Sequence, residues 1–433
     1  MATTNGVDRG DNIGPDDITI DPSRELGYAR TAALQQAFEA AARSLLDNDG
    51  WADPQRPNDK RLIADLALEG GGVKGIGLVG AVLVLSEAGY SFRGVAGTSA
   101  GAIAAALIAA LSKAGRPIVQ LKGYLGSMDF SKFMPEGKLH HFLDHHGGKV
   151  GSLAVDAGIL THQMGIYPGD YLREWLSPIL NDDLGVRTFS DLRLTVADDP
   201  EIDSCLPPDR RYRLVVHTSD ISRSELARLP WDYPRYGWGP DDQDVVHAVR
   251  ASMSIPFFFE PVSFSTGDAD VTLPAPDGST LTQHYAPGTV TWVDGGMLRN
   301  FPINAFDRVD GKPARWPTIG IKLSSLQTQF PATRACDSAV DVGIRCLRTM
   351  MNEWDAYAVD EATAGRTIFV DNAGLTATQF DLTPAQQNTL FLNGVRAATQ
   401  FILEMAEANG IPRTAEEAKT FARTRHATWK PGP

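Results

Sequence analysis

The chain has 433 residues, of which 43% are hydrophobic and 21% charged, and its formal net charge is −13. This composition is that of a globular protein with a sizeable core. The acidic balance excludes nucleic acid as the main partner, because phosphates are neutralised by clustered Lys and Arg. The three cysteines, Cys205, Cys336 and Cys346, have no close spacing. They indicate a reducing compartment, and neither a disulfide framework nor a thiolate metal site.

The N-terminal residues 1–27 are polar and rich in Gly and Asp, which predicts a mobile tail. They lack the basic and apolar regions of a secretory signal peptide. The longest apolar run, Ala102–Leu111, is too short for a bilayer span, which needs ~20 residues. We therefore expect a soluble, cytoplasmic protein. Export by a route that needs no such signal stays open.

The first predicted elements form a β-α-β unit. Arg30–Leu46 has the spacing of an amphipathic helix, and Asn48–Asp59 is a polar linker. A strand over 62–68, a helix over 75–88 and a strand over 90–96 follow, a size that suits a parallel strand pair with a right-handed crossover.

The rest of the chain continues this alternation. Further strands are predicted at Tyr212–Thr218, Thr289–Val293, Thr318–Leu323 and 367–370, with a hairpin over Val271–Tyr285 and a helix from Thr383. Alternating strands and helices predict an α/β fold on a mainly parallel sheet. We divide the chain into 1–59, a mobile tail plus helical extension, 60–330, the main domain, and 331–433, a helical region packed on it.

The pentapeptide Gly97-Thr98-Ser99-Ala100-Gly101 lies between a predicted strand and the apolar run that follows. Its glycines permit a sharp strand-to-helix turn that presents the Ser99 hydroxyl. Because serine alone is a poor nucleophile, this interpretation requires a base. Asp294 suits the role, since it ends an apolar strand and precedes Gly295-Gly296. We expect it at the carboxyl end of a parallel strand, where ligand crevices open.

The histidines fit the role of base less well. His284 lies in the predicted hairpin and His426 in the polar tail, while His140, His141, His145 and His146 crowd one loop with Asp144. That loop could hold a metal, but a solvated polar loop is the simpler interpretation, and we predict no metal. The sequence thus favours a Ser99–Asp294 dyad without histidine.

The glycine loop Gly70-Gly71-Gly72-Val73-Lys74-Gly75 follows the first strand of the main domain. Successive glycine amides at a helix start suit an oxyanion or a phosphate. The string Gly75–Gly80 matches a dinucleotide fingerprint, but its glycines fall inside the predicted helix. A phosphate-binding P-loop would need Ser or Thr after Lys74, where Gly75 stands.

The glycine loop, the Gly-Thr-Ser-Ala-Gly turn and the later Asp294-Gly295-Gly296, in this order, resemble the patatin-like phospholipases. Arg250–Pro256 and Met297–Pro302 resemble the family's segments before and after Asp-Gly-Gly, and the likeness extends over about 60–325. The resemblance implies a patatin-like three-layer α/β/α sandwich with a mainly parallel central sheet. It also implies a lipid acyl hydrolase that needs no cofactor and no metal.

Carried over by position, the resemblance makes Ser99 the nucleophile and Asp294 the base. The oxyanion hole would be formed by Gly70, Gly71 and Gly72. Supporting roles would fall to Lys74, Gly97, Gly101 and Gly295. The expected reaction is of the phospholipase A type, through an acyl-enzyme, with a phospholipid membrane as the partner and peripheral association with it.

Several alternatives stay open. They are a soluble esterase or lipase on neutral or small acyl esters, a membrane-damaging effector that needs an activator, and a lipid-binding protein with a vestigial site. A candidate lipid-interface loop, called the aromatic loop below, comprises Trp231, Tyr233, Tyr236 and Trp238 among prolines. The alternative for this loop is packing of the rings onto the domain. Head-group preference, acyl position and oligomeric state are not specified by the sequence.

Overall fold

A computed structural model of the chain describes residues 13–53, 56–133, 165–167, 169–274, 279–308, 313–323, 361–375 and 381–424, with isolated positions between 336 and 379. The predictions for the histidine loop at 140–146 and for His426 lie outside the described residues.

The strands are β1 (Ile18–Thr19), β2 (Ala29–Arg30), β3 (Trp51–Asp53), β4 (Arg56–Leu68), β5 (Tyr90–Thr98), β6 (Gly165–Tyr167), β7 (Leu214–Asp220), β8 (Glu225–Leu229), β9 (Phe257–Phe259), β10 (Val262–Thr266), β11 (Ala269–Pro274), β12 (Thr280–Tyr285), β13 (Gly288–Asp294), β14 (Thr318–Lys322) and β15 (Thr367–Phe369). The α-helices are α1 (Ala32–Asp49), α2 (Ile76–Glu87), α3 (Ala100–Lys113), α4 (Gln120–Gly126), α5 (Asp170–Ser177), α6 (Ile202–Cys205), α7 (Val245–Ser252), α8 (Gly296–Arg299), α9 (Glu361–Ala364), α10 (Pro384–Glu407) and α11 (Ala415–Thr424).

The centre of the fold is a nine-stranded sheet with the order β10-β13-β7-β5-β4-β14-β15, in which β3 also pairs with β4 and β8 with β7. The strands β7, β5, β4, β14 and β15 run parallel, whereas β13 runs antiparallel to both of its partners, β7 and β10. Helices surround this sheet. The predicted α/β fold with a mainly parallel central sheet is confirmed, and an antiparallel flank is added to it.

Two helices that are apolar on all sides lie inside the protein, as their sequences require. Almost every residue of α2 and α3 is buried. Helix α2 packs backbone to backbone on α10, since a Cβ on Gly80 would lie 2.1 Å from the Phe391 carbonyl oxygen. A Cβ on Gly394 would likewise lie 2.0 Å from the Gly77 carbonyl oxygen. The glycines of the fingerprint-like string therefore serve helix packing.

The N-terminal extension shares the main core. Ile18 and Tyr28 are fully buried within it, together with residues of α1. Arg30 forms a buried ion pair with Glu87 of α2 at 3.0 Å. The mobile tail stays a prediction for residues 1–27, although Ile18 of this segment lies in the core. Within the described ranges, no helix is both long and apolar enough to cross a bilayer.

Candidate active site

Ser99 lies at the junction of β5 and α3, with φ 53° and ψ −126°. A residue that carries a Cβ adopts such a conformation at a cost of roughly 1–3 kcal/mol. The flanking glycines make room for the turn, since a Cβ on Gly97 would lie 2.2 Å from the Gly101 carbonyl oxygen. A Cβ on Gly101 would lie 2.4 Å from the Leu68 carbonyl oxygen at the end of β4. The first turn of α3 is therefore pressed against two strands.

Asp294 is the last residue of β13, which runs toward Ser99 in the direction opposite to β5. One edge of β7 is taken by β8 over Val216–Asp220. On the other edge, Thr98 of β5 pairs with His217, and Asp294 of β13 pairs with Thr218. The strands β5 and β13 therefore meet end to end, at consecutive positions of β7.

The prediction that Asp294 ends a parallel strand is wrong, because β13 runs antiparallel to β7. The pattern of apolar residues predicts a strand but carries no information on its direction. The pairing of β7 with β5 ends at His217, so from Thr218 onward this edge of β7 is available to β13. Pairing of β13 along this part of the β7 edge, rather than a position at the end of a parallel strand, places the Asp294 carboxylate beside Ser99.

The Asp294 carboxyl group is fully buried. Its Oδ1 accepts a hydrogen bond of 2.7 Å from the Gly296 amide. Burial raises the pKa of Asp294 to about 7, an effect that the neighbouring Ser99 hydroxyl and the Gly296 amide oppose. Within the described residues, Oδ2 has no hydrogen bond that meets strict geometry, while the Ser99 hydroxyl is close enough to lower the pKa of the carboxyl group. A carboxyl group with this pKa can accept a proton at neutral pH.

The glycine loop is fastened by Asn300. The Gly70 amide donates to the Asn300 carbonyl oxygen at 3.1 Å, and Asn300 Nδ2 donates to the Gly70 carbonyl oxygen at 3.0 Å. The prediction of Gly70 as an oxyanion donor is wrong, because its amide already has this acceptor. Its backbone instead lies against Ser99, since a Cβ on Gly70 would lie 3.0 Å from Ser99 Cβ.

The next two glycines keep their amides available. Within the described residues, the Gly71 and Gly72 amides donate no hydrogen bond. Gly72 has φ 55°, and a Cβ there would lie 1.9 Å from the Ala377 carbonyl oxygen. No larger residue fits that position. Gly71 and Gly72 stay the predicted oxyanion donors.

Lys74 lies near the end of the glycine loop. Burial lowers the pKa of its ammonium group, while Glu69 raises it and Lys322 lowers it. Glu69 is buried and accepts hydrogen bonds from the Lys322 amine and the Leu323 amide. Lys322 therefore bonds directly to the Glu69 carboxylate, and Lys74 lies close enough for both charges to shift its pKa.

One histidine lies near the site. His217 pairs with Thr98 at the end of β5, and its carbonyl oxygen would lie 2.2 Å from a Cβ on Gly295. Burial lowers the pKa of its imidazole to about 3. Such an imidazole is a weak base at neutral pH. Asp294 stays the predicted base.

The aromatic loop packs into the core. Tyr233 and Tyr236 are fully buried, and the lipid-interface interpretation is therefore wrong for them. Trp231 and Trp238 are half-buried against the same core, with the Trp238 ring centroid 4.5 Å from that of Phe264. The rings pack onto the domain, as in the alternative that the sequence left open.

Two residues without a predicted role also hold the candidate site together. The Ser99 amide donates to Ser252 Oγ at 2.9 Å, and Asn300 fastens Gly70 as described above. Both residues lie in the segments Arg250–Pro256 and Met297–Pro302. The resemblance of these segments to the family was the only signal that could have found them.

With this geometry in place, the sequence matches the family described as patatin-like phospholipase over residues 66–307. The chain belongs to this family, and membership implies a lipid acyl hydrolase. It is 31% identical over 338 residues to the uncharacterised protein YqhO of Bacillus subtilis (strain 168), covering 78% of this chain and 97% of YqhO. It is 22% identical over 358 residues to the uncharacterised protein R571 of Acanthamoeba polyphaga mimivirus, covering 79% of this chain and 95% of R571.

Among solved structures, VipD from Legionella pneumophila aligns with a TM-score of 0.40 and 18% identity. The alignment covers 78% of this chain and 66% of the VipD chain. This likeness is too weak to bear on function.

Proposed function

We propose that this chain is a phospholipase of the A type, with Ser99 as nucleophile and Asp294 as its general base. The observation that carries the proposal is the meeting of two strand ends. There the fully buried Asp294 carboxyl group, with a pKa of about 7, lies beside the strained Ser99. Burial and backbone strain of this kind are typical of catalytic groups.

The reaction follows from these positions. Ser99 Oγ attacks the ester carbonyl carbon while Asp294 Oδ2 takes the hydroxyl proton. The Gly71 and Gly72 amides stabilise the oxyanion that forms. Asp294 then returns the proton to the departing alcohol oxygen, which leaves Ser99 acylated. Water attacks the acyl-enzyme with Asp294 again as base, and the fatty acid is released with Ser99 restored.

Exposed apolar side chains in the segments that hold the site support a lipid surface as the partner. Phe257 and Leu298 are 40% and 37% exposed, and each lies a few residues after Ser252 or Asp294. Phe257 has φ 70°, a strained conformation for a bulky residue, and such strain clusters at functional sites. We propose that both side chains touch lipid, and that the protein is cytoplasmic and binds membranes peripherally.

A second candidate is an esterase that acts on acyl esters in solution. The burial of Tyr233 and Tyr236 favours it, because the sequence argument for membrane contact rested partly on those rings. Hydrolysis of vesicles with different head groups, measured beside hydrolysis of a water-soluble short-chain ester, separates the two candidates. Dependence on the head group supports the phospholipase, and hydrolysis of the short-chain ester alone supports the esterase.

The direct test is lipid analysis of phospholipid vesicles after incubation with the wild type, with Ser99→Ala and with Ser263→Ala. Ser263 is an exposed serine on β10 whose hydroxyl bonds to Thr291, which makes it a matched control. We expect wild type and control to release fatty acid and lysophospholipid, and Ser99→Ala to release neither. Equal release by Ser99→Ala would contradict the proposal.

A further inference from the structure

The segment Ser252–Ser254 contacts both halves of the proposed dyad. Ser252 Oγ accepts the Ser99 amide at 2.9 Å. The Ser254 carbonyl oxygen accepts the Asp294 amide at 2.9 Å, and the Ser252 carbonyl oxygen accepts the Gly295 amide at 3.4 Å. One short stretch of chain therefore connects the nucleophile to the base.

The Ser252 hydroxyl occupies the position of a backbone hydrogen bond that β5 and β7 would otherwise form. The Val95 amide donates to the Arg213 carbonyl oxygen at 2.7 Å. Since a parallel ladder repeats every two residues, the Ser99 amide would be the donor to the His217 carbonyl oxygen. Ser252 Oγ takes the Ser99 amide instead and donates its own proton to the His217 carbonyl oxygen at 2.6 Å.

This insertion explains how the strand can end at the nucleophile. A direct bond to His217 would hold Ser99 in the sheet, with an extended backbone. The bridging hydroxyl satisfies the Ser99 amide and still lets the residue take φ 53° and ψ −126°. Ser252 is fully buried, so within the described structure this bridge is shielded from solvent.

Arg250 holds the segment in place. It is buried, and its Nη1 donates to Ser254 Oγ at 2.6 Å. Its Nη2 donates to the Glu260 carbonyl oxygen at 2.9 Å. Gly169 packs against the guanidinium group, since a Cβ there would lie 2.3 Å from Arg250 Nε. The turn after α7 is therefore fixed on both sides of Ser252.

We propose that Ser252 is a positioning residue for the nucleophile, an inference that rests on the proposed dyad. Its hydroxyl ends the pairing of β5 with β7 at Ser99, and so sets the placement of Ser99 Oγ against Asp294. A displacement of a reacting group by about 1 Å can lower turnover by about 100-fold. The role is distinct from proton transfer, because Ser252 touches the Ser99 amide and not its hydroxyl.

The test compares Ser252→Ala and Ser252→Thr with a matched control, Thr367→Val. Thr367 is also buried, and its hydroxyl donates to the Thr363 carbonyl oxygen at 2.7 Å, but it lies on β15, away from β5. The measurements are the rate of Ser99 labelling by a fluorophosphonate, kcat and KM on a water-soluble ester, and the folded fraction by near-ultraviolet circular dichroism.

We expect labelling and kcat of folded Ser252→Ala to fall by about 10- to 100-fold, with KM changed by less than about threefold. Ser252→Thr keeps a hydroxyl and should recover most of the rate, and Thr367→Val should label like the wild type. Wild-type labelling by Ser252→Ala overturns the inference, as does a loss that Ser252→Thr fails to restore. Activity retained by Ser99→Ala would instead overturn the proposed function, whatever Ser252 does.

Discussion

Two regions of this protein look equally unusual in the sequence, the serine turn at Gly97–Gly101 and the aromatic loop at Trp231–Trp238. In the serine turn, neighbouring backbones are in close contact and Ser99 has a strained conformation. In the aromatic loop, the rings cover one another within the core. Backbone strain therefore distinguishes the serine turn as the candidate functional region, whereas unusual composition is common to both regions.

The largest expected effect comes from adding a side chain at Gly97, inside the serine turn. Gly97→Ala would place a Cβ 2.2 Å from the Gly101 carbonyl oxygen, and only movement of the turn can relieve that contact. We expect a loss of about 1–3 kcal/mol in the free energy of unfolding. We also expect a loss of at least ~100-fold in kcat, since the nucleophile is displaced. Urea unfolding and ester hydrolysis measure the two losses.

Gly123→Ala is the control for this change. Gly123 lies in α4, and a Cβ there meets nothing within 4 Å. The free energy of unfolding should rise by up to about 1 kcal/mol, because alanine is the better helix former. Full activity in Gly97→Ala would show that the close contact is not needed, and would weaken the contrast between the regions.

In the aromatic loop the expected effect is on stability alone. Trp238→Ala removes a half-buried ring that contacts Phe264 at 4.5 Å between centroids. The free energy of unfolding should fall by about 2–3 kcal/mol, somewhat below the range for a fully buried ring. Hydrolysis of vesicles and of a water-soluble ester by the folded protein should stay equal to wild type. A loss confined to vesicles would restore Trp238 as a lipid contact.

The third expected effect is a gain in stability that depends on pH. Burial raises the pKa of Asp294 from 3.8 to about 7, so the folded state binds this proton more tightly than the unfolded state. Its contribution to stability is full below the unfolded pKa and is lost as the pH rises through about 7. The stability that Asp294→Asn gains over wild type should therefore be larger at pH 8 than at pH 5, by about 1–3 kcal/mol.

Urea unfolding at both pH values measures this gain, with Asp209→Asn as the control. Asp209 is exposed, so its replacement should give no such difference between pH 5 and pH 8. An equal gain at both pH values in Asp294→Asn would show that the carboxyl group is not held neutral by burial.

Much of the fold and the centre of the site could be predicted from local pattern. Apolar runs and glycine spacing indicated β5, the serine turn and the strand that ends at Asp294. The direction of that strand could not be predicted, because it depends on the vacant edge of β7 beyond His217. The acceptor that occupies the Gly70 amide lies at Asn300. This is a contact between distant parts of the chain that no local pattern carries.

The aromatic loop and the N-terminal segment illustrate the same limit. Composition cannot tell a ring that faces solvent from one that faces another ring, so the burial of Tyr233 and Tyr236 was not predictable. Ile18 and Tyr28 are isolated apolar residues in a polar stretch, and they are buried only because other elements cover them. Long-range packing decides both cases.

The central claim is that Ser99 and Asp294 act as one catalytic unit. It is tested most directly by kcat/KM for a water-soluble ester in Ser99→Ala, in Asp294→Asn and in the double variant. Because both residues act in the same step, removing either one should abolish hydrolysis. Removing both should lower kcat/KM no further. Retention of more than a few per cent of activity by Asp294→Asn would contradict the account and place the base elsewhere, with His217 the first residue to examine.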